Sequence, residues 1–206
     1  MTAARVRVRQ TPKGEATRER IVEAAAEEAS VRGLTAISLQ DVADLVGLSK
    51  SSIFKHFQAK EAMQQAVLEW TAERFLARVW WPSQGESDAR ARLTQVFDAW
   101  LDWVAGSDSR GGCLLQMASL ELDDQPGPLR DYTRAAASRW QGRVRDVFRA
   151  LRHPALSEDE ADQAGFEMKG FVLAYIEQRR LLEDDKARQR AKAAFGRLLE
   201  RLDRSE

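Results

Sequence analysis

Cysteine and histidine are nearly missing from these 206 residues: one cysteine, Cys113, and two histidines, His56 and His153. A lone thiol makes no internal disulfide, and two distant histidines assemble no zinc-type ligand set, so neither a metal nor another cofactor is expected. The same scarcity leaves no Cys-His or Ser-His-Asp constellation for nucleophilic catalysis. There is no Gly-x-Ser-x-Gly elbow, and the glycine-rich "GSDSRGG" lacks the Lys-Ser/Thr pair of a phosphate loop. An enzyme is therefore not expected. No apolar run approaches the ~20 residues that cross a bilayer. The start "MTAARVRVRQTPKG" has no hydrophobic segment behind its charges, so the expectation is a soluble, cytoplasmic chain without membrane partners.

Net charge is also absent, with 32 basic against 32 acidic side chains. Its distribution is uneven. Residues 1–60 carry ten basic and seven acidic groups, and the remainder carries 22 and 25. The excess of positive charge sits at the front, where Arg5, Arg7 and Arg9 form a basic arm that ends near Gly14.

What is present is helical periodicity, since apolar residues recur at three and four spacing between clusters of glycine and proline, and no alternating strand pattern stands out. The fold class read from this is all-α. A first helix runs to Val31, with Ile21, Val22, Ala25 and Ala29 on one stripe and Gly33 placed to end it. Two short helices follow. A long helix then starts near Ala59 and continues to Pro82, and five further segments are read at about 88–105, 112–123, 128–152, 157–182 and 185–203. The expected division is a basic arm (1–14), a small head (15–58) and a larger helical body (59–206).

The two short helices carry the functional signal. Leu39, Val42, Ala43 and Val46 repeat at i, i+3, i+4, i+7, which gives one apolar face behind an N-cap at Ser38. Gly47 breaks that helix and Ser49 caps the next, which is the layout of a helix-turn-helix. At about 100° per residue, Ile53 and Phe57 share the inner face of the second helix. Ser51, Ser52 and Lys55 then face outward, with Phe54 and His56 on the flanks. Small hydroxyls let a backbone approach another surface while still donating and accepting, and a DNA major groove ~12 Å wide admits such a helix. Lys50 and Lys60 bracket it, placed for phosphates on either wall of the groove, and the Arg5, Arg7, Arg9 arm suits the backbone or the adjacent minor groove. The plain alternative is a solvated surface helix. His56 equally reads as a half-buried group bonded within the fold.

The stretch "GLTAISLQDVADLVGLSKSSIFKHFQAKEAM" resembles the DNA-binding head of TetR-type bacterial transcriptional regulators, over about residues 15–68. The resemblance implies that Ser38, Gln40, Lys50, Ser51, Ser52, Phe54, Lys55, His56 and Lys60 face DNA. One departure stands out: Phe54 occupies a position where that family usually has tyrosine, whose hydroxyl commonly reaches a phosphate. The resemblance further implies a homodimer on a palindromic operator, with a small-molecule effector pocket in the body and, as a rule, repression relieved by that effector.

In the body, Phe166, Gly170 and Leu173 in one helix and Ala191, Phe195 and Leu198 in the next form apolar, small-residue stripes that suit a dimer face, or alternatively the protomer's own core. For a pocket, Trp100, Trp103, Cys113, Met117, Glu121 and Trp140 are the candidates, each of which also reads as plain core. Glu121, Asp123 and Asp124 in "LELDDQPGPLRDY" either offer carboxylates to a cationic effector or cap helices. The rival reading of the whole chain is a helical small-molecule-binding or interaction protein without specific DNA binding. It draws on Phe54 and on the zero net charge.

Overall fold

The structure is a computed structural model, and it describes residues 12–106 and 109–204. The basic arm with Arg5, Arg7 and Arg9 lies outside the described residues. Within them the regular structure is helical. Helix α1 spans Pro12–Arg32 and buries Ile21, Val22, Ala25 and Ala29. It ends at Gly33, whose φ of +95° is left-handed and whose amide returns to the Ala29 carbonyl at 2.9 Å.

Helix α2 (Leu39–Val46) begins with a full capping box: the Ser38 hydroxyl accepts from the Asp41 amide, and the Asp41 carboxylate accepts from the Ser38 amide. Such caps contribute about 1 kcal/mol. Gly47 closes α2 at φ +68°, and Leu48 donates back to Ala43 at 2.9 Å. Helix α3 (Lys50–His56) starts from the Ser49 cap and is held down by fully buried Ile53 and by Phe57 just beyond its end. Burying two such side chains contributes about 1.5–3 kcal/mol each, enough to hold a seven-residue helix that would not persist alone.

Helix α4 (Lys60–Phe75) is the long connector expected from sequence. It is not uniform to its end: residues Leu76–Trp80 widen into a π-turn, followed by a 3₁₀ turn at Trp81–Ser83. Pro82 has no N–H to give the Arg78 carbonyl, so the α-ladder cannot pass through it. The body follows as α5 (Ala89–Val104), α6 (Leu114–Glu121), α7 (Pro128–Arg149), α8 (Glu158–Ile176) and α9 (Ala187–Arg204), with a second π-turn at Glu177–Leu181.

Two hydrophobic cores result, and their seam departs from the expected division at residue 58. The first half of α4 (Met63, Val67, Leu68) and, from far along the chain, Leu114, Ala118 and Leu122 of α6 complete the core of the head. The body core holds the second half of α4 with α5, α7, α8 and α9, centred on Phe97 stacked against Phe195 at 4.2 Å.

That stacking corrects one expectation. Ala191, Phe195 and Leu198, taken as half of a dimer face, lie inside the protomer's core. Helix α9 has one apolar stripe and spends it there. Its other side is charged and pairs with its neighbours, Lys192 with Asp98 at 2.9 Å and Arg201 with Glu167 at 2.7 Å. Phe166 (74% exposed), Gly170 and Leu173 (39% exposed) remain on an open face of α8.

Candidate DNA-reading head and body cavity

The inward face of α3 is fixed by Ile53 and Phe57, and Arg18 of α1 lies over the Phe57 ring at 4.7 Å. Rotation about the helix axis then leaves Lys50, Ser51, Phe54 and Lys55 exposed, with Ser52 and His56 half-buried. Phe54 is 41% exposed, an apolar ring kept at the surface where no core residue needs it. The three serines at the start of α3 share one network: the Ser49 hydroxyl lies 3.0 Å from those of both Ser51 and Ser52. Ser51 is the serine of the helix that stays open to solvent. His56 keeps its Nδ1 buried without a hydrogen-bond partner among the described residues.

The remaining head positions are engaged locally. Ser38 donates to Asp41 Oδ2 at 2.6 Å, and these bonds, more than the charge of Arg32, hold the Asp41 carboxyl below its ordinary value. Gln40 is exposed and donates to Asp44 at 2.8 Å. Lys60 donates to the Thr35 carbonyl at 2.6 Å, which aims its ammonium toward the α1–α2 turn on the exposed side of the head.

In the body, a cavity of about 940 Å³, counted with its open mouth, lies among α4, α5, α6, α7 and α8. Its apolar depth is an edge-to-face cluster in which the Trp140 ring stands 4.8 Å from Phe75 and 5.1 Å from Trp100. Of the pocket candidates read from sequence, Trp100, Cys113 and Trp140 are on its wall. Burial pushes the Cys113 thiol up, against hydrogen bonds that pull the other way, so it is protonated and a poor nucleophile at neutral pH. Trp103 is buried beside the cluster, and Met117 is half-buried on α6, both off the wall.

Glu121 is not a pocket group. Its carboxylate reaches across to the head and accepts from the Leu34 amide at 3.0 Å, the Thr35 amide at 2.9 Å and the Thr35 hydroxyl at 2.9 Å. It thus caps the turn that follows α1. A Cβ on Gly33 would meet the carboxylate at 2.9 Å, so the glycine serves both the left-handed turn and this approach. The expectation that Glu121 faces an effector is overturned by these three bonds, all of them to the turn between α1 and α2.

A second clamp flanks the first. Arg110, just ahead of α6, bonds Glu27 of α1 at 2.7 Å, and the Gly111 amide donates to Ser30 Oγ at 3.1 Å. Burial alone would raise the Glu27 carboxyl, but hydrogen bonds from the side chain and backbone of Arg110 bring it below its ordinary value. Helix α6 therefore joins both regions. Leu115, Gln116 and Ser119 line the cavity, while Leu114, Ala118 and Glu121 hold the head.

Sequence reasoning missed the cavity groups Phe75, Arg139, Arg143 and Lys169. A signal was available for two of them, since Arg139 and Arg143 lie one residue before and three after Trp140, on neighbouring positions of one helix face. Among the described residues no helix is long and apolar enough to cross a membrane, and no cluster of three metal-ligating side chains occurs.

Comparison with known proteins points the same way as the geometry. Residues 21–67 match the family model described as bacterial regulatory proteins, tetR family. Residues 89–195 match that of the tetracyclin repressor-like C-terminal domain. A curated relative, the HTH-type transcriptional activator FasR of Mycolicibacterium smegmatis, is 30% identical over 94 residues, 46% of this chain and 42% of the relative's length. A TetR transcriptional regulator from Chloroflexus aurantiacus superposes with a TM-score of 0.77 at 23% identity, covering 95% of this chain and 98% of that one. The structure of AibR with isovaleryl coenzyme A and operator DNA superposes with a TM-score of 0.70 at 20% identity, over 88% and 97% of the two chains.

Proposed function

The chain belongs to the TetR family of bacterial regulators, and from that membership we propose that it is a cytoplasmic homodimer that represses from a palindromic operator and releases it when a small molecule fills the body cavity. The observation that carries the proposal is the double attachment of α6, whose one side walls the cavity and whose other side caps and packs the DNA-reading head.

On DNA, α3 enters the major groove. Ser51 and the Phe54 ring meet base edges, Ser52 and His56 support them, and Lys50, Lys55 and Lys60 meet phosphates, with Ser38 and Gln40 at the start of α2 against the backbone. Phe54 offers its ring to a sugar or a thymine methyl in place of the phosphate bond that a tyrosine would make. The arm with Arg5, Arg7 and Arg9 adds charge alongside.

The open stripe Phe166, Gly170, Leu173 on α8 is the proposed dimer face, where glycine lets two helices approach. A two-fold dimer reads half-sites about one helical turn, ~34 Å, apart. An effector that prefers a body shape with the heads at another spacing weakens DNA binding by the ratio of its two affinities. A hundredfold ratio corresponds to about 2.8 kcal/mol. AibR, solved with both a ligand and operator DNA, shares this fold and supports the two-site reading.

Footprinting on DNA around the protein's own gene tests the proposal, with a protected palindrome as the expected result. Uniform protection of unrelated duplexes would sink the claim of specificity, and no DNA binding at all would favour the rival small-molecule-binding reading. Lys50→Ala is expected to weaken binding to all sequences and lower the log-log salt slope by about one, whereas Ser51→Ala is expected to alter preference among sequences. The curated relative is named an activator, so a promoter-reporter assay checks the sign: transcription rising in a deletion strain supports repression.

A further inference from the structure

The cavity wall is unusual in its charge. It includes Arg139, Arg143 and Lys169, and no carboxylate. Arg139 and Arg143 stand one turn apart on α7, a like-charge spacing that disfavours the helix, and Lys169 approaches from α8, which packs along α7. Arg143 is partly accounted for: its guanidinium lies 5.3 Å from the Trp81 ring, and it also borders a neighbouring groove with Glu86 and Asp146. Arg139 and Lys169 have no such account. Neither has an ion pair among the described residues; Arg139, together with Glu69 and Glu73, acts electrostatically on Tyr132, which lies outside the wall. Lys169 is half-buried on that wall.

The apolar depth and this cationic rim select opposite ends of one molecule. The Phe75, Trp100 and Trp140 rings already spend their faces and edges on one another, with interplanar angles of 71°, 77° and 84°. They therefore form an apolar floor more than an open cage for a cation. A cationic ligand would enter against three positive charges. A neutral apolar ligand would leave them unanswered, whereas an anion at the rim meets a guanidinium able to bond it bidentately and an ammonium beside it.

We infer that the cavity takes a small amphiphilic anion, whose apolar body packs on Trp100 and Trp140 and whose carboxylate or phosphate head is held by Arg139 and Lys169. This rests on the reading of the cavity as the effector site, and it runs against the cationic effector that is one of the two alternatives for the acidic stretch at Glu121, Asp123 and Asp124.

The test uses the full-length protein and four probes built on eight-carbon chains: octanoate, octyl phosphate, octanol and octyltrimethylammonium. Tryptophan fluorescence reports binding, and anisotropy of a labelled operator fragment separately reports DNA release. At least one of the two anions is expected to bind tenfold or more tightly than octanol, and the cation more weakly still. Lys169→Met and the exposed Arg139→Gln are each expected to weaken the preferred anion severalfold while leaving octanol unchanged, and the relative strength of octanoate and octyl phosphate identifies the head group. Octanol or the cation binding as tightly as the anions overturns the inference, as does the absence of binding by every probe or an anion preference that survives both substitutions. Anion binding without operator release leaves the ligand class standing and sinks the effector role. Operator release by a cationic or neutral compound alone does the reverse.

Discussion

Removing the Glu121 carboxylate is the sharpest perturbation of the link between cavity and head. In Glu121→Ala the Leu34 and Thr35 amides and the Thr35 hydroxyl lose their acceptor at once. Hydrogen bonds to a charged acceptor contribute about 1.5–3 kcal/mol each, and an unsatisfied buried donor costs about 1–3 kcal/mol. Leu34 is fully buried, so its amide is poorly placed to take water, whereas Thr35 is only partly covered and recovers hydration. The three losses are therefore not additive, and about 3 kcal/mol in total is the expected destabilisation. For a chain of this size that lowers Tm by about 6–12 °C. Glu121→Gln keeps one carbonyl acceptor and turns the other into a donor facing a donor, so it is expected to fall between wild type and alanine.

Two assays check this: thermal denaturation followed by circular dichroism, and amide hydrogen exchange at Leu34 and Thr35. Exchange at these two amides should accelerate by a factor of ten or more in Glu121→Ala under conditions where the α9 amides stay protected. Because α6 also walls the cavity, the variant should in addition lose part of the effect that a cavity ligand has on operator affinity. A Tm within about 1 °C of wild type, with unchanged exchange at both amides, would refute the clamp.

Other consequences follow from the same contacts. A Cβ on Gly111 would lie 1.6 Å from the Ser30 carbonyl oxygen, so Gly111→Ala must separate the loop from α1. It is expected to cost about 3 kcal/mol, the upper end of overpacking effects, while Gly85→Ala, with open space around it, should change Tm little. Asp41 has its folded pKa lowered below the ordinary 3.8 by the Ser38 bonds. Its contribution is complete above pH 3.8 and is lost as pH falls through the folded value. The stability gap between wild type and Asp41→Asn, measured by urea denaturation, should therefore be constant at pH 5–7 and shrink on further acidification. A gap that widens with acid would contradict the capping box. Phe166→Glu on the open face of α8 should shift sedimentation from dimer toward monomer without lowering the helical content, and a variant that remains dimeric would move the interface elsewhere.

The head was legible in the sequence because its determinants are local. Ser38 with Asp41, Gly47 at a left-handed cap, Ser49 and the Ile53/Phe57 pair each act within four or five residues, so periodicity and capping chemistry place α2, α3 and their faces. The all-helical body and its breaks at Pro82 and around Gly106, Gly127 and Pro154 were readable for the same reason. What only the tertiary structure decided are the choices among equivalent partners. An apolar stripe on α9 reads identically whether it meets a second protomer or Phe97 of its own chain, and a glutamate at the end of α6 reads as a ligand group or as a cap. The sequence separation of 86 between Thr35 and Glu121 hides their bond from any local pattern. Likewise, the convergence of Arg139 with Lys169 exists only once α7 and α8 are packed, because burial and charge balance belong to the assembled wall and not to either helix alone.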